Sequence, residues 1–323
     1  MSENKVLLEC KNLKKYFDVS SGSLHAVDDV SFKLRQGTTL GVVGESGCGK
    51  STLGRTILRL LPATDGQIFF DGEDITSLQP NDMLELRKQM QIIFQDPFSS
   101  LDPKMTVSQI IEEPLRIHKM YSDKKKQSER VIELMEIVGL DRRYVNTYPH
   151  ELDGGRRQRI GIARAIALNP KFIICDEPVS ALDVSIQAQI LNLMMDLKDE
   201  LGLTYIFITH DLSVVKHISD EILVLYLGKM VELTSSDRLF ENPIHPYTKA
   251  LLSAIPVPDI AYKGKEAEIM KGEVTSPIDP PPCCLFAARC PDATEHCFQK
   301  APKFVEVEEN HYVACHRYSK TKG

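Results

Sequence analysis

Eight consecutive residues, Gly44-Glu45-Ser46-Gly47-Cys48-Gly49-Lys50-Ser51, follow the pattern G-x-x-x-x-G-K-S, whose chemistry is phosphate binding. Glycines let backbone N–H groups turn inward around phosphate oxygens. The helix opened by Thr52 adds the partial positive charge of its N-terminus. Lys50 reaches the β- and γ-phosphates, and the Ser51 hydroxyl ligates Mg²⁺. A second run, Phe172-Ile173-Ile174-Cys175-Asp176-Glu177, ends four apolar residues in two carboxylates. Such a run is a buried strand whose acids emerge at its C-terminal end, where parallel sheets place their ligands. Asp176 holds Mg²⁺ directly or through water, and Glu177 polarises an attacking water.

These groups need a scaffold of strands and helices, and the hydrophobic pattern supplies one. Apolar runs at 40–43, 68–70, 92–94, 172–175, 205–209 and 222–226 read as strands. A helix is expected over 52–61. Between 97 and 168 strands give way to helical patterns at 107–118, 123–138 and 155–168. Alternating strands and helices predict an α/β domain with a mainly parallel sheet and an inserted helical subdomain. Beyond Pro256 the chain is irregular and rich in proline, which suits a linker.

The 323 residues are 42% apolar and 26% charged, with a net charge of −6 and no tryptophan. Mild acidity without a basic stripe argues against nucleic acid as a partner. No apolar stretch reaches the 18 or more residues of a membrane span, and Met1 to Lys5 lacks a signal-peptide pattern. The expected location is the cytoplasm, including docking on a membrane protein.

Further signatures complete the set: Gln95 after Ile92-Ile93-Phe94, then Leu152-Asp153-Gly154-Gly155-Arg156, then Ser180-Ala181-Leu182-Asp183, then His210 after a strand. In this order the chain resembles the nucleotide-binding subunit of an ABC transporter over about residues 5–320. Three finer stretches are similar to the F-type ATPase of oligopeptide and dipeptide importers: 94–103, 175–184 and 242–248. The resemblance implies a P-loop ABC ATPase domain over 5–256, with an antiparallel N-terminal β part and a helical subdomain at about 97–168. A small irregular Cys-rich domain would follow over 257–323. It implies ATP and Mg²⁺ as ligands, with the nucleotide held by Gly44 to Thr52. Gln95 would touch Mg²⁺ and the attacking water, and His210 would contact the γ-phosphate. Tyr16 would stack on adenine, with Phe17 as its rival. Asp183 would lie at a subunit interface.

The implied partners are a second ATPase subunit of the D-type, two membrane-spanning permease subunits and, indirectly, an external substrate-binding protein. The implied place is the cytoplasmic face of the cell membrane, as a peripheral subunit. The implied work is ATP hydrolysis that powers peptide import. Nickel or another small solute, or a soluble ABC ATPase acting on nucleic acid or ribosomes, are the alternatives.

One departure from the family pattern stands out. The signature Leu-Ser-Gly-Gly-Gln carries Asp153 in place of serine and Arg156 in place of glutamine. In the family, this loop caps the nucleotide of the opposite subunit through residues matching Asp153, Gly154 and Gly155. Aspartate still caps a helix, yet it sets a carboxylate against phosphate. At ~4 Å each like-charge pair costs ~1–4 kcal/mol, depending on local dielectric. An asymmetric pair with one impaired site is the expectation, with rescue by Arg156 as the alternative.

Of eight cysteines, Cys10, Cys48 and Cys175 are scattered, and five crowd into the C-terminal tail. Cys284-x₅-Cys290-x₆-Cys297-x₁₇-Cys315 offers four thiolates, with Cys283 spare and His296, His311 and His316 nearby. Four thiolates bind zinc or an iron–sulfur cluster. The close C-x₂₋₄-C pairs usual for structural zinc are missing. Wider, uneven spacing suits a cubane, and similar tails among peptide-importer ATPases hold a [4Fe–4S] cluster. A cluster is therefore expected, with zinc and unliganded thiols as alternatives.

Overall fold

The computed structural model describes residues 5–254 and 275–318. Two compact units emerge, one formed chiefly by Ser77–Ile208 and the other by Val6–Leu34, Thr39–Thr76 and the described part of Thr209–Gly323.

In the second unit, β1 (Val6–Val19), β2 (Gly22–Arg35), β4 (Asp65–Phe70) and β5 (Glu73–Asp74) form a sheet in the order β2-β1-β4-β5. β1 pairs antiparallel with β4, and β4 with β5. Elsewhere in this unit β3 (Thr39–Val43) runs parallel to β9 (Glu221–Tyr226), with Leu40 opposite Glu221 and Val43 opposite Val224. All five β3 residues are buried, as expected for a strand covered on both faces. β10 (Lys229–Ser235) returns antiparallel beside β9. The tail strands β12 (His311–Val313) and β11 (Val305–Glu308) then extend this edge in the order β11-β12-β10-β9-β3. Helices α1 (Lys50–Ile57), α8 (Leu212–Ile218), α9 (Ser236–Glu241), α10 (Pro246–Ser253) and α11 (Glu295–Gln299) complete the unit. One core cluster joins Val43, Val215, Val224, Tyr226, Tyr247 and Phe286, so residues of β3, β9, α10 and the tail share an interior.

In the first unit, β6 (Met90–Ile93), β7 (Phe172–Asp176) and β8 (Thr204–Ile208) are parallel, with β7 in the middle. β7 and β8 are buried at every position. Between β6 and β7 lie α3 (Pro97–Ser100), α4 (Val107–Ile117), α5 (Lys124–Ile137) and α6 (Gly154–Ile166). Helices α2 (Pro80–Leu86) and α7 (Val184–Leu201) flank this set in the chain. Polar residues set the starts of three of these helices. Thr106 and Gln109 form a reciprocal capping box on α4, and the Asp123 carboxylate accepts from the Lys125 N–H on α5. Asp153 caps α6 in the same way.

The expected strands all form, within a few residues of their expected limits. Two differences have local causes. The first helix spans 50–57 rather than 52–61: Lys50 and Ser51 are already helical, and Arg59 turns left-handed (φ 52°) just past its end. The tail forms β11 and β12 where the sequence suggested only irregular chain, because β10 offers its edge to β12. The boundary expected at 256/257 lies outside the described residues.

Candidate active site

The phosphate loop is built by backbone. It follows β3, and Gly49 adopts φ 102° at the N-cap of α1. A Cβ there would meet the Ala26 carbonyl oxygen at 1.9 Å, and one at Gly44 (φ 152°) would meet the Leu225 carbonyl oxygen at 2.2 Å. Only glycine permits these close approaches. Lys50 is buried, 5% exposed, and its ammonium donates to the carbonyls of Gly44 at 2.8 Å and Glu45 at 2.9 Å. The lysine is thus held inside the loop that it serves. Ser51 and Thr52 occupy the first turn of α1, where backbone N–H groups face outward from the helix start. Cys48 is buried with its sulfur near the lysine, and burial raises its thiol pKa. Ser46 and Gly47 complete the turn, Gly47 at φ 77°.

His210 belongs to the same unit. Its neighbour Thr209 donates its N–H to the Val42 carbonyl at 3.2 Å, so the exposed His210 departs from beside the end of β3. Asp211 then caps α8. Tyr16 stacks on His25, with ring centroids 3.8 Å apart and planes 12° from parallel. Its hydroxyl donates to Asp28 at 2.6 Å, and burial followed by that hydrogen bond pushes its pKa up. Phe17 has Lys15 over its ring instead.

The carboxylate end lies in the first unit. Asp176 closes β7 and is 2% exposed. Glu177 follows in the left-handed region, φ 49°, and its N–H donates to the Ile208 carbonyl at 2.9 Å. A non-glycine residue held there is strained. Gln95 donates its amide to the Glu177 carboxylate at 2.8 Å. That bond brings together two of the expected site residues, 82 positions apart, with no motif linking them.

In the signature, Asp153 accepts the Arg156 N–H at 2.8 Å, and its second oxygen pairs with the Arg156 guanidinium. The guanidinium also lies 5.2 Å from the centre of the Tyr144 ring. A Cβ at Gly154 would meet Leu182, just before α7, at 3.0 Å, and one at Gly155 would meet Ile186 within α7 at 2.8 Å. Asp183 is exposed at the start of α7.

In the tail, Cys284, Cys290, Cys297 and Cys315 line one cavity of about 530 Å³, together with His296 and His316. Cys283 lines a different cavity of about 700 Å³. Burial raises the thiol pKa values of Cys290 and Cys315, and that of Cys284 to about 11. Among the described residues, no group of three or more His, Cys, Asp or Glu side chains is placed so that it could hold a metal ion. Protonated thiols have no charge to draw them to a common centre. Metal binding to such a set displaces the protons and organises the ligands together. The four-thiol lining thus fits a soft metal group in ligand chemistry, without showing one.

His311 does not join that cavity. It is fully buried against Glu232 at 2.7 Å, both side chains 0% exposed. Glu232 also accepts the N–H groups of Ile244 and His245 at 2.8 and 2.9 Å. Burial opposes its ionised form, but the hydrogen bonds from His311 and these amides prevail and lower its pKa. Sequence reasoning missed Glu232, Arg289, Tyr226 and Tyr247. The one available signal was a carboxylate inside the apolar run of β10.

The ABC transporter family model matches residues 27–180, and the model described as oligopeptide/dipeptide transporter, C-terminal region, matches 231–297. The oligopeptide transport ATP-binding protein AppF of Bacillus subtilis (strain 168) is 52% identical over 98% of this chain and 99% of its own. The oligopeptide transport ATP-binding protein OppF of Salmonella typhimurium is 50% identical over 98% of this chain and 97% of its own. Among solved structures, the dimeric bacterial ABC transporter cassette MJ0796 aligns with a TM-score of 0.66 at 29% identity, covering 71% of this chain and 99% of that one. The same cassette in a post-hydrolysis state, bound to ADP and Pi, gives 0.65 at 28% identity. The fold is that of an ABC ATPase cassette. This chain belongs to the ABC transporter family, in the branch of the oligopeptide transport ATP-binding proteins. It is an ABC-class ATPase, and among the described residues no helix is long and apolar enough to cross a membrane.

Proposed function

We propose that this chain is the ATP-hydrolysing subunit of a peptide importer, bound peripherally at the cytoplasmic face of the membrane. It would work there with a second, D-type ATPase subunit and two permease subunits, supplied with cargo by an external binding protein. The observation that carries this reading is the end-to-end match to oligopeptide transport ATP-binding proteins, C-terminal region included. Gly44 to Thr52 wrap the phosphates, Lys50 neutralises the γ-phosphate, and Tyr16 stacks on adenine. Ser51, Asp176 and Gln95 would hold Mg²⁺, which would supply positive charge against the phosphate oxygens. Glu177 takes the proton of the water that attacks the γ-phosphorus in line. The Gln95 amide supports this role by fixing one Glu177 oxygen. His210 contacts the γ-phosphate. The ATPase domain spans 5–256 and the Cys-rich domain 257–323. Reconstitution of the four-subunit transporter in vesicles tests the reading: ATP-dependent uptake of labelled di- and oligopeptides is expected. Uptake of nickel but not peptide would contradict it.

Two ATPase subunits acting head to tail would place the Asp153 signature over the partner's nucleotide. The Arg156 guanidinium offsets part of the carboxylate's charge, but both side chains are about half exposed (42% and 55%) and so are screened. The partner's site is therefore the slow one, and this chain's site the active one. Removing the partner's own catalytic glutamate should leave most turnover intact, and collapse of turnover would refute the asymmetry.

Cys284, Cys290, Cys297 and Cys315 hold a [4Fe–4S] cluster of structural role, with zinc as the alternative ligand. Anaerobic purification with iron, sulfide and zinc analysis decides between them.

A further inference from the structure

Glu45 is the x that follows the first glycine of the phosphate loop, an unexpected place for a carboxylate in a site for polyanions. Each of its polar groups is engaged. Its carbonyl accepts from Lys50 at 2.9 Å, and its N–H donates to the Tyr247 hydroxyl at 2.8 Å. Its carboxylate is gripped from both sides by Arg289, whose two terminal nitrogens lie 2.8 and 2.9 Å from the two oxygens. Arg289 is 7% exposed and also reaches the Tyr226 hydroxyl at 3.4 Å. It ends the short 3₁₀ turn Ala287–Arg289, directly before Cys290 of the thiol cavity. Tyr226, Tyr247 and Phe286 pack edge-on or tilted against one another, with ring centroids 4.7 to 5.4 Å apart, and the Arg289 guanidinium lies 5.9 Å from the centre of the Tyr226 ring.

From this geometry we infer that Arg289 is a positioning residue for the phosphate loop: the cysteine tail, through Arg289, neutralises Glu45 and holds the loop in its phosphate-binding shape. The inference rests on the reading of this chain as an ATP-binding subunit. A bidentate guanidinium–carboxylate pair fixes orientation as well as charge. Without Arg289, an uncompensated carboxylate would sit in the loop that must accept several phosphate charges, with no partner to hold it aside. A tether that merely fastened the tail would behave differently. Its loss would lower stability without changing nucleotide affinity, and removing Glu45 as well could not repair it.

The test is a double-mutant cycle on the full chain, reading the Kd of a fluorescent ATP analogue with Mg²⁺ by titration and the melting point alongside. Arg289→Gln is expected to weaken binding by about tenfold or more, and high salt should shrink the defect by screening. In the Glu45→Gln background, Arg289→Gln should cost no further affinity, so that the double variant binds more tightly than Arg289→Gln alone. Wild-type affinity in Arg289→Gln, or a double variant as weak as Arg289→Gln, would overturn the inference. If Arg289→Gln does not fold, Arg289→Lys replaces it. That variant keeps the charge but loses the fork, so a weakening of a few fold, abolished by Glu45→Gln, is expected, and unchanged affinity overturns the inference. Failure of the wild-type chain to bind nucleotide at all would instead remove the proposed function on which the inference rests.

Discussion

The phosphate loop and the cysteine tail are organised by opposite means. Eight contiguous residues make the loop, and its shape is backbone: left-handed glycines, close approaches to the Ala26 and Leu225 carbonyls, and a lysine tied to loop carbonyls. The tail takes its place through side-chain pairs of long sequence separation. Glu232 meets His311, 79 residues away, and Glu45 meets Arg289, 244 residues away. A site made from backbone is specified largely by its own residues, with the Glu45–Arg289 pair tying it to the tail. A module held by a few buried pairs depends on each of them.

This contrast predicts where damage will show. The largest stability effect should come from Glu232→Ala. It strands the buried His311 and the amides of Ile244 and His245, at a cost of about 3–5 kcal/mol. Chemical denaturation measures it, and a loss under about 1 kcal/mol would break the contrast.

Acid should come next. Burial, opposed in part by the Glu232 charge, lowers the His245 pKa to about 4. Its unfolded value is near 6.5, so it has no effect above that pH. As pH falls from about 6.5 towards 4, the unfolded chain takes up a proton that the folded one refuses, and about 3 kcal/mol is lost. Glu232 acts lower down: its pKa is depressed, so its contribution is present above the unfolded carboxylate value and vanishes as pH falls through the folded one. Unfolding free energies across this range should flatten between pH 6.5 and 4 in His245→Gln.

The loop should fail in another way. Gly49→Ala would place a methyl against the Ala26 carbonyl in a left-handed conformation. A stability cost of only about 1–3 kcal/mol is expected, together with loss of ATP binding by titration. Smallest of all is the signature. Asp153→Ser removes a half-exposed carboxylate already paired with Arg156. Cleavage at the partner's site should speed up about two- to tenfold, corresponding to at most ~1.4 kcal/mol of like-charge repulsion removed, and the transporter's steady-state turnover should rise by no more than about twofold. A fall in turnover would mean that the aspartate is the better cap.

What the sequence could disclose follows the same division. The loop, the strand ending in Asp176-Glu177 and the helical region at 97–168 were readable because their patterns are contiguous. β10 was not readable, since Glu232 interrupts its apolar run and its burial makes sense only with His311 beside it. β11 and β12 are too short to stand out, and pairing with β10 gives them their place. His311 lies near the cysteines in sequence, whereas its partner Glu232 lies on another strand. Arg289 lies between Cys284 and Cys290, and nothing in the spacing points from it to Glu45.

The proposed hydrolysis depends most on Glu177 as the group that activates water, with Gln95 donating to its carboxylate. The direct test is single-turnover cleavage of radiolabelled ATP by the assembled transporter carrying Glu177→Gln, under conditions where binding is saturated. Cleavage slowed by about 10²-fold or more, with nucleotide still bound, is the predicted result. Cleavage at the wild-type rate would contradict the assignment and with it the proposed mechanism.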